Sequence, residues 1–259
     1  MKKNRLVKAV RIGTSGWIYP HWQGAFYPED CPKGKWLEYY ARHFDALELN
    51  ASFYRLPATE TFRKWSQRTP AGFFWAVKMN RYITHIRRLK NVEEAMSRFY
   101  EAVSALDDKM GPILIQFPPT LVYENSLILN FLDLLDPARK HAIEVRHDSW
   151  IQDEFLDQLR QRNVALCISD TAGRYPSRIA VTADFAYLRL HGSRKLYASL
   201  YTEEELRDWA EKIRGWSCET WIFFDNDYEG NAVRNALTLR EICKEQEGLR
   251  DNGGPDSDE

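Results

Sequence analysis

Charged side chains lie inside or directly after several short apolar runs of this sequence. Glu48 and Glu144 each stand within such a run, and Arg189 stands within another. An unpaired charge in an apolar environment is too costly to keep, so we expect these side chains to be paired or to face a shared polar cavity. A structural ion-pair network and a ligand site would both satisfy this requirement, and the two are compatible.

These residue types could carry out acid–base catalysis and bind anions. Carboxylates act as general acids or bases once burial and nearby cations adjust their pKa values, and arginine holds phosphate or carboxylate through two hydrogen bonds. The candidate catalytic residues are Glu48, Lys78, Glu144, Asp170 and His191. The candidate substrate-binding residues are Ser15, Trp17, Asn50, Tyr54, His85, Gln116, Arg146, His147, Trp150, Arg189 and Asn226. Their spacing does not require a metal ion, so we assign no metal ligands, and the sequence identifies no cofactor.

Eight short runs rich in aliphatic and β-branched residues predict the strands that would position these side chains. The runs are Val10 to Thr14, Ala46 to Leu49, Phe73 to Val77, Pro112 to Ile115, Ala142 to Val145, Val164 to Ile168, Ala186 to Leu190 and Thr220 to Phe224. Most are continuous apolar runs, which is typical of parallel strands buried on both faces. Helices are predicted between most of them, with capping boxes at Asn91 with Glu94 and at Thr202 with Glu205.

Strands that alternate with helices form either a closed barrel or an open doubly wound sheet. The segment after the first strand, residues 13–17, lacks the dinucleotide-binding fingerprint and places Trp17 where a phosphate would have to approach. We therefore predict a single (β/α)8 TIM-like barrel of parallel strands over residues 9–247. The C-terminal ends of the strands meet at one face of such a barrel, so the candidate residues would converge there.

Composition limits the function classes. The formal net charge is -1, from 36 basic and 37 acidic residues, which is not the strongly basic balance expected of a nucleic-acid-binding protein. No apolar stretch is long enough for a membrane span or a secretory signal, so we predict a cytoplasmic protein with no membrane partner. Residues 248–259 are rich in Gly, Asp and Glu and are predicted to form a disordered acidic tail.

A series of short motifs runs in order along almost the whole chain, from about Arg11 to Glu245. The motifs are Gly13-Thr14-Ser15-Gly16-Trp17, Glu48-Leu49-Asn50, Gln116-Phe117-Pro118, Glu144-Val145-Arg146-His147 and Arg189-Leu190-His191-Gly192. Together they resemble the YecE-like family, domain of unknown function 72, whose members adopt a TIM-barrel-like fold. The resemblance implies this fold but no particular reaction. Family members often have Phe-Asn-Asn after the last strand, whereas this chain has Asp225 at the first Asn, so a role for that Asn does not carry over.

The candidate residues favour an enzyme that binds a small anionic metabolite, such as a sugar phosphate or a nucleotide-like compound, at the C-terminal face. Lys78, Arg146 and Arg189 would gather positive charge there. A phosphate is expected near residues 191–193 or in the turn 226–230, because barrels often use the loops after strands seven and eight for this purpose. Hydrolysis and isomerisation both suit these groups, and the residues do not decide between them.

An alternative is a nucleic-acid-binding or nuclease-like module. In that case aromatic side chains would stack on bases, and the basic segment of residues 81–90 would contact the backbone. The near-neutral charge of the chain disfavours this alternative without removing it. The sequence gives no indication of the oligomeric state.

Overall fold

The computed structural model describes residues 9–251, with side chains described as far as residue 246. The strands are β1 Val10–Thr14, β2 Ala46–Leu49, β3 Phe74–Lys78, β4 Met110–Gln116, β5 His141–Glu144, β6 Ala165–Asp170, β7 Phe185–Leu190 and β8 Glu219–Phe224. The helices are α1 Trp36–His43, α2 Ala51–Tyr54, α3 Thr59–Gln67, α4 Glu93–Val103, α5 Asn125–Leu132, α6 Asp153–Gln161, α7 Glu203–Gly215 and α8 Asn231–Asp251.

The strands form one parallel sheet that is almost closed on itself. Hydrogen-bonded neighbours follow the order β1-β8-β7-β6-β5-β4-β3-β2, and the predicted (β/α)8 barrel is confirmed. Consecutive strands are separated by helices except between β6 and β7, where the described residues 171–184 form none. The long apolar helix that a membrane span requires does not occur within residues 9–251.

One of the two predicted helix starts is correct and the other is wrong. Thr202 and Glu205 form the capping box at the start of α7. Helix α4, in contrast, begins at Glu93 after Val92, without a side-chain cap. Asn91 has a φ of 50° and lies one residue too early, so it cannot serve as the cap, whose backbone is usually extended.

The barrel closes between β1 and β2 through a side chain rather than a regular strand ladder. The Tyr40 hydroxyl group accepts a hydrogen bond from the Thr14 backbone N–H at 2.9 Å and donates one to the Ala46 carbonyl oxygen at 3.1 Å. A methyl group at Gly13 would lie 2.0 Å from that carbonyl oxygen, so only glycine lets the two strands approach. A single parallel bridge between Ser15 and Glu48 completes the closure.

Side chains of contrasting size fill the N-terminal part of the barrel interior. They comprise large rings from β7 and β8 and alanines from β2, β3, β5 and β6, namely Phe185, Tyr187, Trp221, Phe223, Ala46, Ala76, Ala142 and Ala165. Inward positions recur at every second residue of a strand. The same alternation that points Ala46 and Tyr187 inward therefore also points Glu48 and Arg189 inward, one layer nearer the C-terminal face.

The last helix, α8, is described as far as Asp251. The predicted tail of residues 248–259 lies, beyond its first four positions, outside the described residues.

We predict that Tyr40→Phe destabilises the barrel by about 1–3 kcal/mol, because it leaves a buried N–H and a buried carbonyl oxygen without a partner. Urea unfolding followed by tryptophan fluorescence measures this loss. Tyr39→Phe is the matched control, since Tyr39 is a neighbouring, half-buried tyrosine of α1 whose hydroxyl group is not part of the seam. Equal unfolding free energies for the two variants would contradict the proposed closure.

Candidate functional site

A cluster of charged side chains surrounds Arg189 at the C-terminal ends of the strands. The Arg189 side chain is 1% exposed and makes ion pairs with Glu48, Glu144 and Asp225. Tyr187, Arg189 and His191 occupy alternate positions along β7 and just beyond it, so all three side chains face the barrel interior. Arg189 is therefore the centre of the site.

Glu48 binds Arg189 with both of its carboxylate oxygens. The distances are 2.9 Å from Nε to Oε2 and 2.8 Å from Nη2 to Oε1. The hydroxyl groups of Ser15, at 2.6 Å, and Tyr187, at 2.7 Å, donate to the same carboxylate, and the Asn50 amide donates to it at 3.3 Å. Bidentate arginine–carboxylate pairs are among the strongest polar contacts in proteins, so Glu48 holds Arg189 in one orientation.

Glu144 occupies the other side of the guanidinium group. Its Oε2 accepts hydrogen bonds from Arg189 Nη1 at 2.7 Å and from Gln116 Nε2 at 2.9 Å, and its Oε1 accepts one from Arg146 Nε at 3.0 Å. Burial would raise the pKa of Glu144, but the guanidinium groups of Arg146 and Arg189 outweigh it and hold this pKa well below its usual value. Glu144 is consequently an anion at neutral pH.

Asp225 and His191 complete the cluster. Asp225 Oδ2 lies 3.0 Å from Arg189 Nη2 and 3.0 Å from His191 Nδ1. Arg189 Nη1 lies 3.3 Å from His191 Nε2. Because Nε2 faces an N–H donor, it accepts, and we assign the ring proton to Nδ1, on the Asp225 side. Burial would raise the pKa of Asp225, but Arg189 and then His191 outweigh this effect and lower it.

Lys78 reaches the site from the end of β3 and is 8% exposed. Its Nζ lies 4.2 Å from the centre of the Phe53 ring. Within the described part of the chain, no carboxylate forms an ion pair with it. Burial, followed by repulsion from Arg189, lowers the pKa of Lys78 to about 8. Lys78 is thus a buried cation whose charge is only weakly favoured.

Arg146 and His85 lie at the mouth of the site. The Arg146 guanidinium group stands 4.5 Å from the centre of the Tyr175 ring, and its Nη2 lies 3.4 Å from the Tyr197 hydroxyl oxygen. The His85 ring packs edge-on against Phe53 at 4.9 Å. Burial and the nearby Lys78 charge lower the pKa of His85 to about 4, so its ring is neutral at physiological pH.

The structure brings together ten of the candidate residues and places the rest elsewhere. The ten are Ser15, Glu48, Asn50, Lys78, His85, Gln116, Glu144, Arg146, Arg189 and His191. Outside the cluster, Asp170 accepts a hydrogen bond from Tyr201, and His147 contacts Ser149. Tyr54 is 71% exposed.

Three further candidates have structural partners away from the cluster. Trp17 packs edge-on against Trp65 and Trp75, and Trp150 Nε1 donates to the Leu121 carbonyl oxygen at 2.6 Å. The Asn226 amide donates to the Ser199 carbonyl oxygen and to Asn235. These contacts fix loops and the helix layer outside the barrel.

Two members of the cluster, Asp225 and Tyr187, were not predicted from the sequence. The usable signal was the two-residue alternation of inward positions. Counting back from Arg189 gives Tyr187, and counting forward from Phe223 gives Asp225. The same count directs Asn226 to the outside of the barrel.

Two surface clefts of about 500 and 460 Å³ lie at the opposite, N-terminal end of the barrel. Arg11 pairs there with Asp45 and Glu219, and Lys140 also pairs with Glu219. These four charged groups are therefore matched within the protein. In the described part of the chain, no group of three or more His, Cys, Asp or Glu side chains could hold a metal ion.

We predict that Arg189→Met costs about 3–5 kcal/mol of stability near neutral pH, because it leaves buried carboxylates uncompensated. Folding lowers the pKa values of Glu144 and Asp225, so both groups stabilise the native protein at pH values above their ordinary pKa values. This stabilisation is lost as the pH falls through the pKa values that the two groups have in the folded protein. In the variant the same carboxylates lack Arg189, so burial raises their pKa values and they take up protons as the pH falls toward about 4, where the deficit should be smaller. Urea unfolding at about pH 7 and about pH 4 tests this pH dependence.

Arg207→Met serves as the control, since Arg207 forms an exposed ion pair with Glu203 and should show no comparable loss. A deficit for Arg189→Met that is the same at both pH values would contradict the charge network.

Comparison with known proteins places this chain in a family. The family model described as "Protein of unknown function DUF72" matches residues 11–258. The UPF0759 protein YecE of Escherichia coli K12 is 28% identical over 175 residues, so the alignment spans 65% of this chain and 62% of YecE. The UPF0759 protein YunF of Bacillus subtilis is 25% identical over 268 residues, with 90% of this chain and 94% of YunF covered.

Solved structures of DUF72 family proteins have the same fold as this chain. A DUF72 family protein from Thermotoga maritima superposes with a TM-score of 0.82 and 30% identity over 91% of this chain and 99% of that one. One from Enterococcus faecalis has the same fold, with a TM-score of 0.79 and 22% identity over 91% of this chain and 95% of that one. The resemblance seen in the sequence motifs is confirmed, and the chain belongs to the DUF72 family.

Proposed function

We propose that this protein is an enzyme that binds a small anionic metabolite, such as a sugar phosphate or a nucleotide-like compound, at the C-terminal face of the barrel. The observation that carries the proposal is that the three cations at this face differ in how many carboxylates pair with them. Arg189 is held by three carboxylates, whereas Lys78 has no ion-pair partner among the described residues and Arg146 has one, Glu144. Arg146 and Lys78 therefore keep donors for an anion.

The loops supply fewer anion-binding groups than the sequence predicts. In the loop after β7, the Gly192 N–H donates to the Tyr201 hydroxyl group, and the N–H groups of Arg194 and Lys195 both face Ser199 Oγ. In the turn after β8, Asp227 carries a carboxyl group, which would repel a phosphate. The anion is therefore proposed to rest on the side chains of Arg146 and Lys78 instead.

Within this proposal the candidate catalytic residues have different roles. Glu48 is a positioning residue, since its hydrogen bonds are used to orient Arg189 and the surrounding hydroxyl groups. Lys78 belongs to the proposed anion site, Glu144 contacts Arg146, and His191 Nε2 lies 3.8 Å from Glu144, so these three are the candidates for proton transfer. Asp170 is bound to Tyr201 outside the barrel interior, which favours a structural role for it.

We expect a thermal-shift screen of sugar phosphates and nucleotides to reveal a stabilising ligand. Arg146→Gln should weaken its binding about tenfold or more, because a charged hydrogen bond contributes about 1.5–3 kcal/mol. Calorimetric titration measures the dissociation constant. Arg174→Gln is the matched control, since Arg174 is an exposed arginine beside the same Tyr175 ring. The proposal fails if no anionic compound stabilises the protein, or if both variants weaken binding equally.

A second candidate function, nucleic-acid binding, is favoured by one observation. Four different segments that follow strands at the C-terminal face each carry an exposed tyrosine, and among the described residues these are Tyr54, Tyr82, Tyr197 and Tyr228, with exposures of 71%, 46%, 41% and 59%. Exposed rings can stack on bases. However, Arg88 is bound to Thr120, and Arg87 is bound to the Lys90 carbonyl oxygen, so part of the basic segment is already engaged within the protein.

We expect fluorescence anisotropy to show no binding of labelled single-stranded or double-stranded DNA or RNA, even at low salt. Binding that weakens steeply as salt rises would instead reflect release of counterions from the backbone and would favour the second candidate. Tyr54→Ala provides the matched variant, because it removes an exposed ring that does not belong to the charged cluster.

A further inference from the structure

Lys78 has no carboxylate to neutralise it, and the hydrogen bonds of the neighbouring acids explain why. The acids facing it, Glu48 and Glu144, would be its natural partners. Both oxygens of each carboxylate accept hydrogen bonds from other donors. Glu48 accepts them from Arg189, Ser15 and Tyr187. Glu144 accepts them from Arg189, Gln116 and Arg146. Lys78 is thus left out of the ion-pair network that it borders.

The surroundings of the Lys78 amine favour its neutral form. The residue is 8% exposed, so burial opposes the charged form, whereas the Phe53 ring, whose centre lies 4.2 Å from Nζ, makes a cation–π contact that partly compensates. The Arg189 guanidinium group adds repulsion. With a pKa of about 8, roughly one amine in ten is neutral at about pH 7 and half are neutral at about pH 8, whereas an ordinary lysine is almost wholly protonated. Lysines desolvated beside another cation are typical nucleophiles.

We propose that Lys78 Nζ is a nucleophile that forms a Schiff base with the carbonyl group of an anionic aldehyde or ketone. This inference rests on the proposed function, in which Arg146 holds the anionic group of the same compound. Arg146 Nε donates to Glu144 at 3.0 Å, and the charge of Lys78 also lowers the pKa of Glu144, so both cations lie near this carboxylate. A short compound could therefore span them.

The reaction balances without an oxidant or a metal. The neutral amine forms a C–N bond to the carbonyl carbon while the C=O π electrons move to oxygen, and a proton passes from nitrogen to that oxygen to give a carbinolamine. The C–O bond then breaks, water leaves with one added proton, and a protonated C=N bond remains. The solvent supplies that added proton. His85 packs on the same Phe53 ring as Lys78 and is neutral at physiological pH, so it adds no positive charge beside the amine.

Reductive trapping of the full chain tests the proposal. The probes are glycolaldehyde and glycolaldehyde phosphate, which differ only in the phosphate group, each with sodium cyanoborohydride. Peptide mass spectrometry then measures alkylation at each lysine. We expect Lys78 to be labelled about tenfold or more faster than the exposed Lys64 and Lys90, because far more of its amine is neutral at a given pH. The labelling rate should rise with pH through about 8.

Two variants separate the nucleophile from a mere positive charge. Lys78→Arg keeps the cation but cannot form the imine, so it should retain anion binding and lose the selective labelling. Lys78→Met should lose the selective labelling and weaken anion binding. If another lysine of Lys78→Arg is labelled as fast as Lys78 is in the unchanged protein, the assignment of the nucleophile is overturned.

The two probes distinguish failure of this inference from failure of the proposed function. If glycolaldehyde labels Lys78 no faster than the exposed lysines, the Schiff-base inference is wrong, whether or not anions bind. If glycolaldehyde labels Lys78 selectively but its phosphate gives no further increase and no thermal shift, the nucleophile stands and the anionic substrate is wrong. A phosphate-enhanced, Lys78-specific label supports both.

Discussion

An arginine guanidinium group cannot lose its proton in a protein, so a barrel that buries Arg189 must supply acceptors for a permanent cation. Glu48, Glu144 and Asp225 provide them from three other strand ends. Because each carboxylate belongs to a different strand, the charge network also links strands that are distant in the sequence. Removing Arg189 would leave buried carboxylates without a counter-charge, and removing the carboxylates would leave a buried arginine without one. Either change is more destabilising than replacing the whole charged group by apolar residues.

This constraint explains why the other cations of the site differ in character. The carboxylate oxygens that face the barrel axis are consumed by Arg189 and by the hydroxyl and amide donors around it. Arg146 receives one oxygen of Glu144, and Lys78 receives none within the described chain. The network that neutralises the buried Arg189 thus leaves two cations at its outer edge, Arg146 and Lys78, with fewer carboxylate partners. Their unsatisfied donors are the physical basis for the ligand that we propose at this face.

The sequence predicts the barrel well but the site only in part. All eight strands lie within two residues of their predicted ends, because continuous apolar runs mark strands buried on both faces. Continuous runs, however, conceal which residues face inward. Asp170 and Asn226 were selected as polar groups at strand ends, yet they follow the inward positions Ser169 and Asp225 by one residue and so face outward. The choice of ion-pair partner cannot be read from residue type alone: by type, Lys78 and Arg189 could each pair with Glu48, and in the structure Arg189 does so.

Stability and reactivity are coupled in this arrangement. The repulsion that lowers the pKa of Lys78 comes, after burial, from Arg189, and Arg189 can remain beside it only because its three carboxylates outweigh that repulsion. A lysine in the place of Arg189 could not form the two-pronged contact with Glu48 while also reaching Glu144 and Asp225. The planar guanidinium group is therefore required for both properties. It binds the strand ends together, and it keeps a neighbouring amine poised between its charged and neutral forms.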